Sequence, residues 1–218
     1  MRVAGTMAVE SLPPATTVLA VLGLLVALAV VLRGLGFLLR IAISLFVLPG
    51  VVVHEFAHAS ACRLVGVRVI EAVYFRFGNP PGYVRHATPD RYRQSVVISV
   101  APFLLNTLVA VAAFVGAVLA VSAAGGVLTA PLEYAVVAGV LGWIGLSVGM
   151  AAFPSTTDAR TLWTRSRREW RRSPAVLLGL PVVALLYVVN VLSWLWAHVL
   201  YAVGLFVLAL AIVDALAI

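Results

Sequence analysis

What this chain is short of narrows its chemistry first. Lysine is absent, so all fifteen basic residues are arginine; against eight acidic residues they leave a net charge of +7. Charged residues make up only 11% of the 218 and apolar ones 63%, a balance far from that of a water-soluble domain. Cysteine occurs once, as Cys62, which excludes an internal disulfide and a cysteine-paired metal site. Cys62 reads as a packed small residue. The positive charge does not point to nucleic acid, because the arginines gather in two segments beside long apolar runs.

Those runs are what the chain has in abundance. They cover residues 15–32, 41–62, 95–121, 131–153, 174–192 and 196–216, each close to the roughly 17 to 25 residues that cross hydrocarbon. The expected fold is an all-α polytopic membrane protein, a single integral domain over residues 1–218 with six transmembrane helices in a lipid bilayer. The first run lacks a small-residue cleavage site at Val30-Val31-Leu32-Arg33, which favours a retained span over a signal peptide. Arg63, Arg68, Arg76, Arg85, Arg91 and Arg93 fall in one loop, and Arg160, Arg165, Arg167, Arg168, Arg171 and Arg172 in another. Two spans separate these loops, and the Gly125–Ala130 loop and Ser193–Ala197 turn carry no arginine, so both Arg-rich loops are expected on the cytoplasmic side. With six spans both termini follow them there, in a multi-pass protein of a prokaryotic plasma membrane.

Two stretches break the pattern of spans. Residues Val67–Phe77 alternate with a period of two and are rich in β-branched and aromatic side chains, which predicts a strand. Asn79-Pro80-Pro81-Gly82 ends it, and Tyr83-Val84-Arg85-His86 can return as a second strand, giving a small membrane-associated hairpin. Residues 159–172 place Leu162, Trp163, Ser166 and Trp170 on one side and arginines over most of the rest, an amphipathic helix expected on the cytoplasmic leaflet. Residues 174–216 supply two additional spans.

Within the 41–62 run stands His54-Glu55-Phe56-Ala57-His58. On a helix, positions i and i+4 lie about 40° apart, so both imidazoles reach one metal ion and Glu55 stands beside them to activate a water. Burying three such residues in a span is costly unless they are paired or working. Two histidines leave a catalytic site one protein ligand short. Asp158, closing the fourth span on the same side as the histidines, is the candidate; the same carboxylate can also cap the helix that follows Pro154. His86 reads as an interfacial side chain, His198 falls on the opposite face, Glu71 is expected to pair with a neighbouring arginine, and Asn190 and Asp214 are expected to hydrogen-bond between the last two spans.

Over residues 41–158 these features resemble the site-2-protease-type intramembrane zinc metalloproteases. The likeness lies in the His-Glu-Phe-Ala-His segment, the following Ala61–Val67 segment and strand, the helix with Pro102 and Asn106, and Asp158. Two departures stand out: Ala101-Pro102-Phe103-Leu104-Leu105-Asn106 is one residue longer than the family's usual motif, and no glycine follows Asp158. The resemblance implies Zn²⁺ as cofactor, held by His54, His58 and Asp158, with Glu55 as base and Asn106 helping to hold the reacting carbonyl. It also implies a transmembrane protein substrate, unwound against the Val67–Phe77 strand with Val69, Val73 and Phe75 in contact. The rival expectation is a non-catalytic, metal-stabilised membrane scaffold or chaperone.

Overall fold

The structure, a computed structural model, describes residues 14–169 and 196–216 together with 176, 181, 184 and 188. Apart from those four isolated positions, the expected 174–192 span lies outside the described residues, as do Trp170, Arg171, Arg172 and Asn190. The elements in chain order are α1 (Pro14–Leu64), β1 (Val69–Val73), β2 (Tyr83–His86), α2 (Tyr92–Ala123), α3 (Leu132–Met150), α4 (Thr156–Glu169) and α5 (Ala197–Ala215). Four of them, α1, α2, α3 and α5, are long and apolar enough to cross a membrane.

The first two expected spans are one helix. Residues 33–40, which separate the first two expected spans, are helical. A glycine costs a helix about 1 kcal/mol, whereas each backbone group left unpaired in apolar surroundings costs several. The chain divides into two compact units, Met1–Ile43 and Ser44–Ile218. In the first, side chains from Val18 to Leu39 are largely exposed, as suits a surface that faces lipid or another chain.

The second unit holds the bundle. Ala110 and Phe114 of α2, Val148 of α3, and Leu205 and Ala209 of α5 form its core. The Thr107 and Tyr201 hydroxyls meet at 2.7 Å, and the Phe114 and Phe206 rings pack 5.4 Å apart. Contacts in that order make α2 and α5 parallel. The Ala215 end of α5 therefore lies with the Ala123 end of α2, away from the Arg-rich segments, where the sequence expectation has the C-terminus on their side.

Pro49 removes one donor from α1, and α3 compensates for the disturbed ladder. The Gly50 N–H donates to Ser147 Oγ at 3.0 Å, and the Phe46 carbonyl accepts from Trp143 Nε1 at 3.0 Å. A side chain at position 50 would collide with the Ser147 carbonyl, so glycine sets the close approach of α1 and α3 one turn before His54.

The hairpin is antiparallel, with Glu71 opposite Arg85 and Val73 opposite Tyr83. β2 spans the residues expected; β1 is shorter than Val67–Phe77, a bulge between Val69 and Glu71 interrupts its two-residue alternation, and the chain bends from Phe77. Phe75 lies beyond the strand and packs on Phe77, ring centroids 5.3 Å apart. Glu71 accepts from Tyr83 at 2.8 Å and Arg85 at 3.2 Å, which holds its carboxyl below the usual range. Ala159, Leu162 and Ser166 of α4 are buried beside Tyr92 of α2, whose hydroxyl meets Ser166 Oγ at 2.8 Å. Leu162 and Ser166 of the expected apolar side thus meet protein, while Trp163 on that side is exposed.

Candidate metal centre

Helical spacing sets His54 and His58 together, their rings edge-on with centroids 4.9 Å apart. Each ring is fixed by a backbone carbonyl. His54 Nδ1 lies 2.8 Å from the Ala151 oxygen and His58 Nδ1 3.0 Å from the Ile98 oxygen. A carbonyl only accepts, so each Nδ1 carries the proton and each neutral ring keeps the Nε2 lone pair for a ligand.

Asp158 joins them from the first turn of α4. Potential ligand atoms of His54, His58 and Asp158 all lie within 4.8 Å of one another, so the group can hold a metal ion. His58 Nε2 and Asp158 Oδ2 are 3.5 Å apart. That is long for a direct charge-assisted hydrogen bond, about 2.7–2.9 Å, but close to the roughly 3.4 Å separating two ligands that stand 2.0–2.1 Å from one tetrahedral ion. Both atoms carry lone pairs when the ring is neutral, so either a shared cation or a proton on Nε2 makes their approach favourable.

Capping and ligation prove compatible in one carboxylate. The Ser155 N–H and Oγ donate to Asp158 Oδ2 at 2.9 and 2.6 Å, and the Asp158 N–H donates back to Ser155 Oγ at 3.2 Å. This reciprocal pair starts α4 and fixes the carboxylate toward the histidines. Burial opposes its charge, but without a metal the hydrogen bond and charge of a protonated His58 ring, with Ser155 and His54, outweigh that and hold the Asp158 carboxyl down at about 2. It is ionised, as a ligand must be.

A cavity of about 510 Å³ opens over these residues and is also lined by Glu55. Among the described residues Glu55 makes no hydrogen bond, so its oxygens are free to accept a proton. The Pro80–Gly82 turn and Tyr83, Val84 and His86 of β2 form a wall of the cavity. Val69, Val73 and Phe75, expected to touch a substrate, do not line it. β2 and not β1 supplies lining residues, which no alternation of β1 alone reveals.

His198 lines the same cavity and packs against Phe153, ring centroids 5.4 Å apart. The sequence expectation places it on the opposite face; the parallel course of α2 and α5 brings it to the site. Its distance in sequence and the lack of any spacing partner left no signal by which to find it. Asn106 is fully buried and does not line the cavity. Its Nδ2 donates toward the carbonyls of Gly50, Val148 and Ala151 at 3.4, 3.3 and 3.1 Å, while its Oδ1 is buried without a partner. Ala151 O is the carbonyl that also fixes His54, so Asn106 acts on the site through the frame that orients a ligand.

No protein-family model, no curated protein and no solved structure matches the chain.

Proposed function

We propose that the protein is an intramembrane zinc metalloprotease that hydrolyses a peptide bond in a transmembrane segment of another protein near the cytoplasmic face. The observation that carries this reading is the approach of His58 Nε2 and Asp158 Oδ2 to 3.5 Å in a cavity that also holds an unbonded carboxylate, Glu55. Two imidazoles and one carboxylate, with a position left open, are the donor set of a catalytic zinc. The Nδ1 bonds to Ala151 and Ile98 fit that role, since they fix each imidazole with its lone pair inward.

When bound, zinc supplies a Lewis acid for the scissile carbonyl and brings the pKa of a water toward neutrality. Glu55 takes the proton from the attacking water and delivers one to the leaving amine. A substrate helix hides its peptide bonds within its own ladder, so a stretch of it must unwind in the membrane. The β2 edge, at the cavity wall, offers main-chain partners to that stretch.

Zinc analysis joined to a cleavage assay tests the reading. Purified protein is expected to hold about one zinc per chain. Replacing His54, His58 or Asp158 with Ala lowers occupancy, because each removes a donor. Glu55→Gln keeps the metal and abolishes cleavage of a membrane substrate, because it removes only the proton acceptor. Full zinc with no wild-type cleavage, and cellular function retained by Glu55→Gln, would instead establish a metal-stabilised scaffold.

A further inference from the structure

Beside the candidate metal centre lies a second cavity of about 640 Å³. The two share Val84, His86, Thr157 and Asp158, so a peptide leaving the first along β2 passes into the second. Its walls are the loop after β2, the start of α2 and one face of α4, where Arg160, Thr164 and Arg168 follow each other at four-residue intervals.

The lining carries three arginines, Arg160, Arg165 and Arg168, against two carboxylates. Its two carboxylates are engaged: Asp158 with Ser155 and His58, and Glu169 with Arg165 Nε at 2.8 Å. Arg165 is held in place, its Nη1 donating to the Pro89 carbonyl at 2.6 Å and Ser95 Oγ at 2.8 Å. Arg160 and Arg168 also line the cavity and form no ion pair among the described residues. Asp90, next to Pro89, is exposed and does not line it.

We infer that this cavity receives the flank of the substrate that follows its transmembrane segment, and that it selects flanks bearing aspartate or glutamate. The inference rests on the protease reading for the word substrate, but the binding it describes is measurable without cleavage. A peptide suits the space better than a lipid headgroup, because the cavity is walled by two helices and a loop and runs into the catalytic cavity. The selection is also informative. Most membrane proteins carry Lys and Arg in their cytoplasmic flanks, and the arginines lining the cavity repel those while attracting the uncommon acidic ones.

The test uses the full chain in zwitterionic lipid nanodiscs and synthetic transmembrane peptides with one spanning segment and three flanks: Asp/Glu, Asn/Gln or Lys. Binding is read by fluorescence anisotropy and cleavage by mass spectrometry. The acidic flank is expected to bind about tenfold tighter than the amide flank, a size suited to two partly exposed charge pairs, with the Lys flank weakest. The ranking should shrink as salt rises. Arg160→Gln with Arg168→Gln should flatten it, while zinc per chain stays at the wild-type value, showing that the site is intact. Equal binding of all three flanks, or a ranking that persists in the double variant, overturns the inference. So does a double variant that loses only affinity for phosphatidylglycerol vesicles, which would make this face of α4 a lipid contact. Ranked binding without cleavage removes the protease reading and leaves the acidic-peptide site standing; cleavage blind to the flank does the reverse.

Discussion

A methyl group at position 82 would stand 2.8 Å from both Glu55 Cγ and Val51 Cγ1, well inside the roughly 3.5–4.0 Å of ordinary carbon contact. Gly82 therefore sets how near the turn before β2 comes to the proposed base. Gly82→Ala is expected to retain zinc and lower kcat by about tenfold or more, since a displacement of an ångström at the chemistry can cost a hundredfold; unchanged kcat would show that the turn gives way freely. Ser155 acts on the neighbouring carboxylate in the same way. Removing its hydroxyl loses a helix cap worth about 1 kcal/mol and frees Asp158 to rotate, so Ser155→Ala should weaken metal binding about tenfold, within the range for residues that orient a ligand. Competitive chelator titration reads this directly. The pH dependence has a definite sign. Asp158 at about 2 remains charged through the mildly acidic range, whereas the histidines must be neutral to ligate, so occupancy should fall as pH drops, by proton competition at the imidazoles.

At the scale of elements, the site is assembled from the ends of α1, α3 and α4 with β2 laid across it. Leu162 is fully buried where α4 meets α2, and truncating such a leucine costs about 2–5 kcal/mol. Leu162→Ala should loosen the helix that carries Asp158 and lower zinc occupancy without touching a ligand. Leu162→Met, close in volume, should restore most of it. Asn106 offers a different discrimination. Its amide donates to three carbonyls, of which Ala151 keeps His54 and Val148 keeps the Ala151 N–H as donor, so Asn106→Leu should lower the unfolding midpoint by about 0.5–1.5 kcal/mol for each hydrogen bond lost. A group that acts only on the reacting carbonyl would lower kcat and leave the midpoint unchanged. A photo-crosslinking side chain at Val84 should capture a bound substrate peptide, and one at Val73 should not, if β2 is the strand that faces it.

At the scale of the whole molecule, the order of contacts fixes direction. Thr107 meets Tyr201 and Phe114 meets Phe206, which sends α5 away from the Arg-rich segments. Leu128, wholly exposed between α2 and α3, and Leu216, after α5, then share an end. In a Cys62-free background, Leu128→Cys and Leu216→Cys should both label from outside intact cells, while Thr88→Cys and Thr164→Cys should label only once the membrane is opened. Labelling of Thr88→Cys in intact cells would reverse the assigned sidedness; protection of Leu216→Cys alone would restore the C-terminus to the Arg-rich side.

The sequence by itself determined what depends on near neighbours in the chain. Helical spacing brought His54, Glu55 and His58 together, the Asn79–Gly82 breaker placed β2 at Tyr83–His86, and the apolar runs marked the membrane-length helices. It also showed that Asp158 suited both a cap and a ligand, because each reading follows from local position. Only the tertiary structure decided that one carboxylate can do both, since that depends on its approach to His54 and His58. It alone turned β2 toward the cavity, committed Asn106 to the frame behind His54 and brought His198 to the site from 140 residues beyond His58. The continuity of α1 through residues 33–40 was a different kind of decision. Two glycines and two arginines resemble a loop in composition, but in an apolar setting the cost of opening backbone hydrogen bonds exceeds the cost of keeping those residues helical.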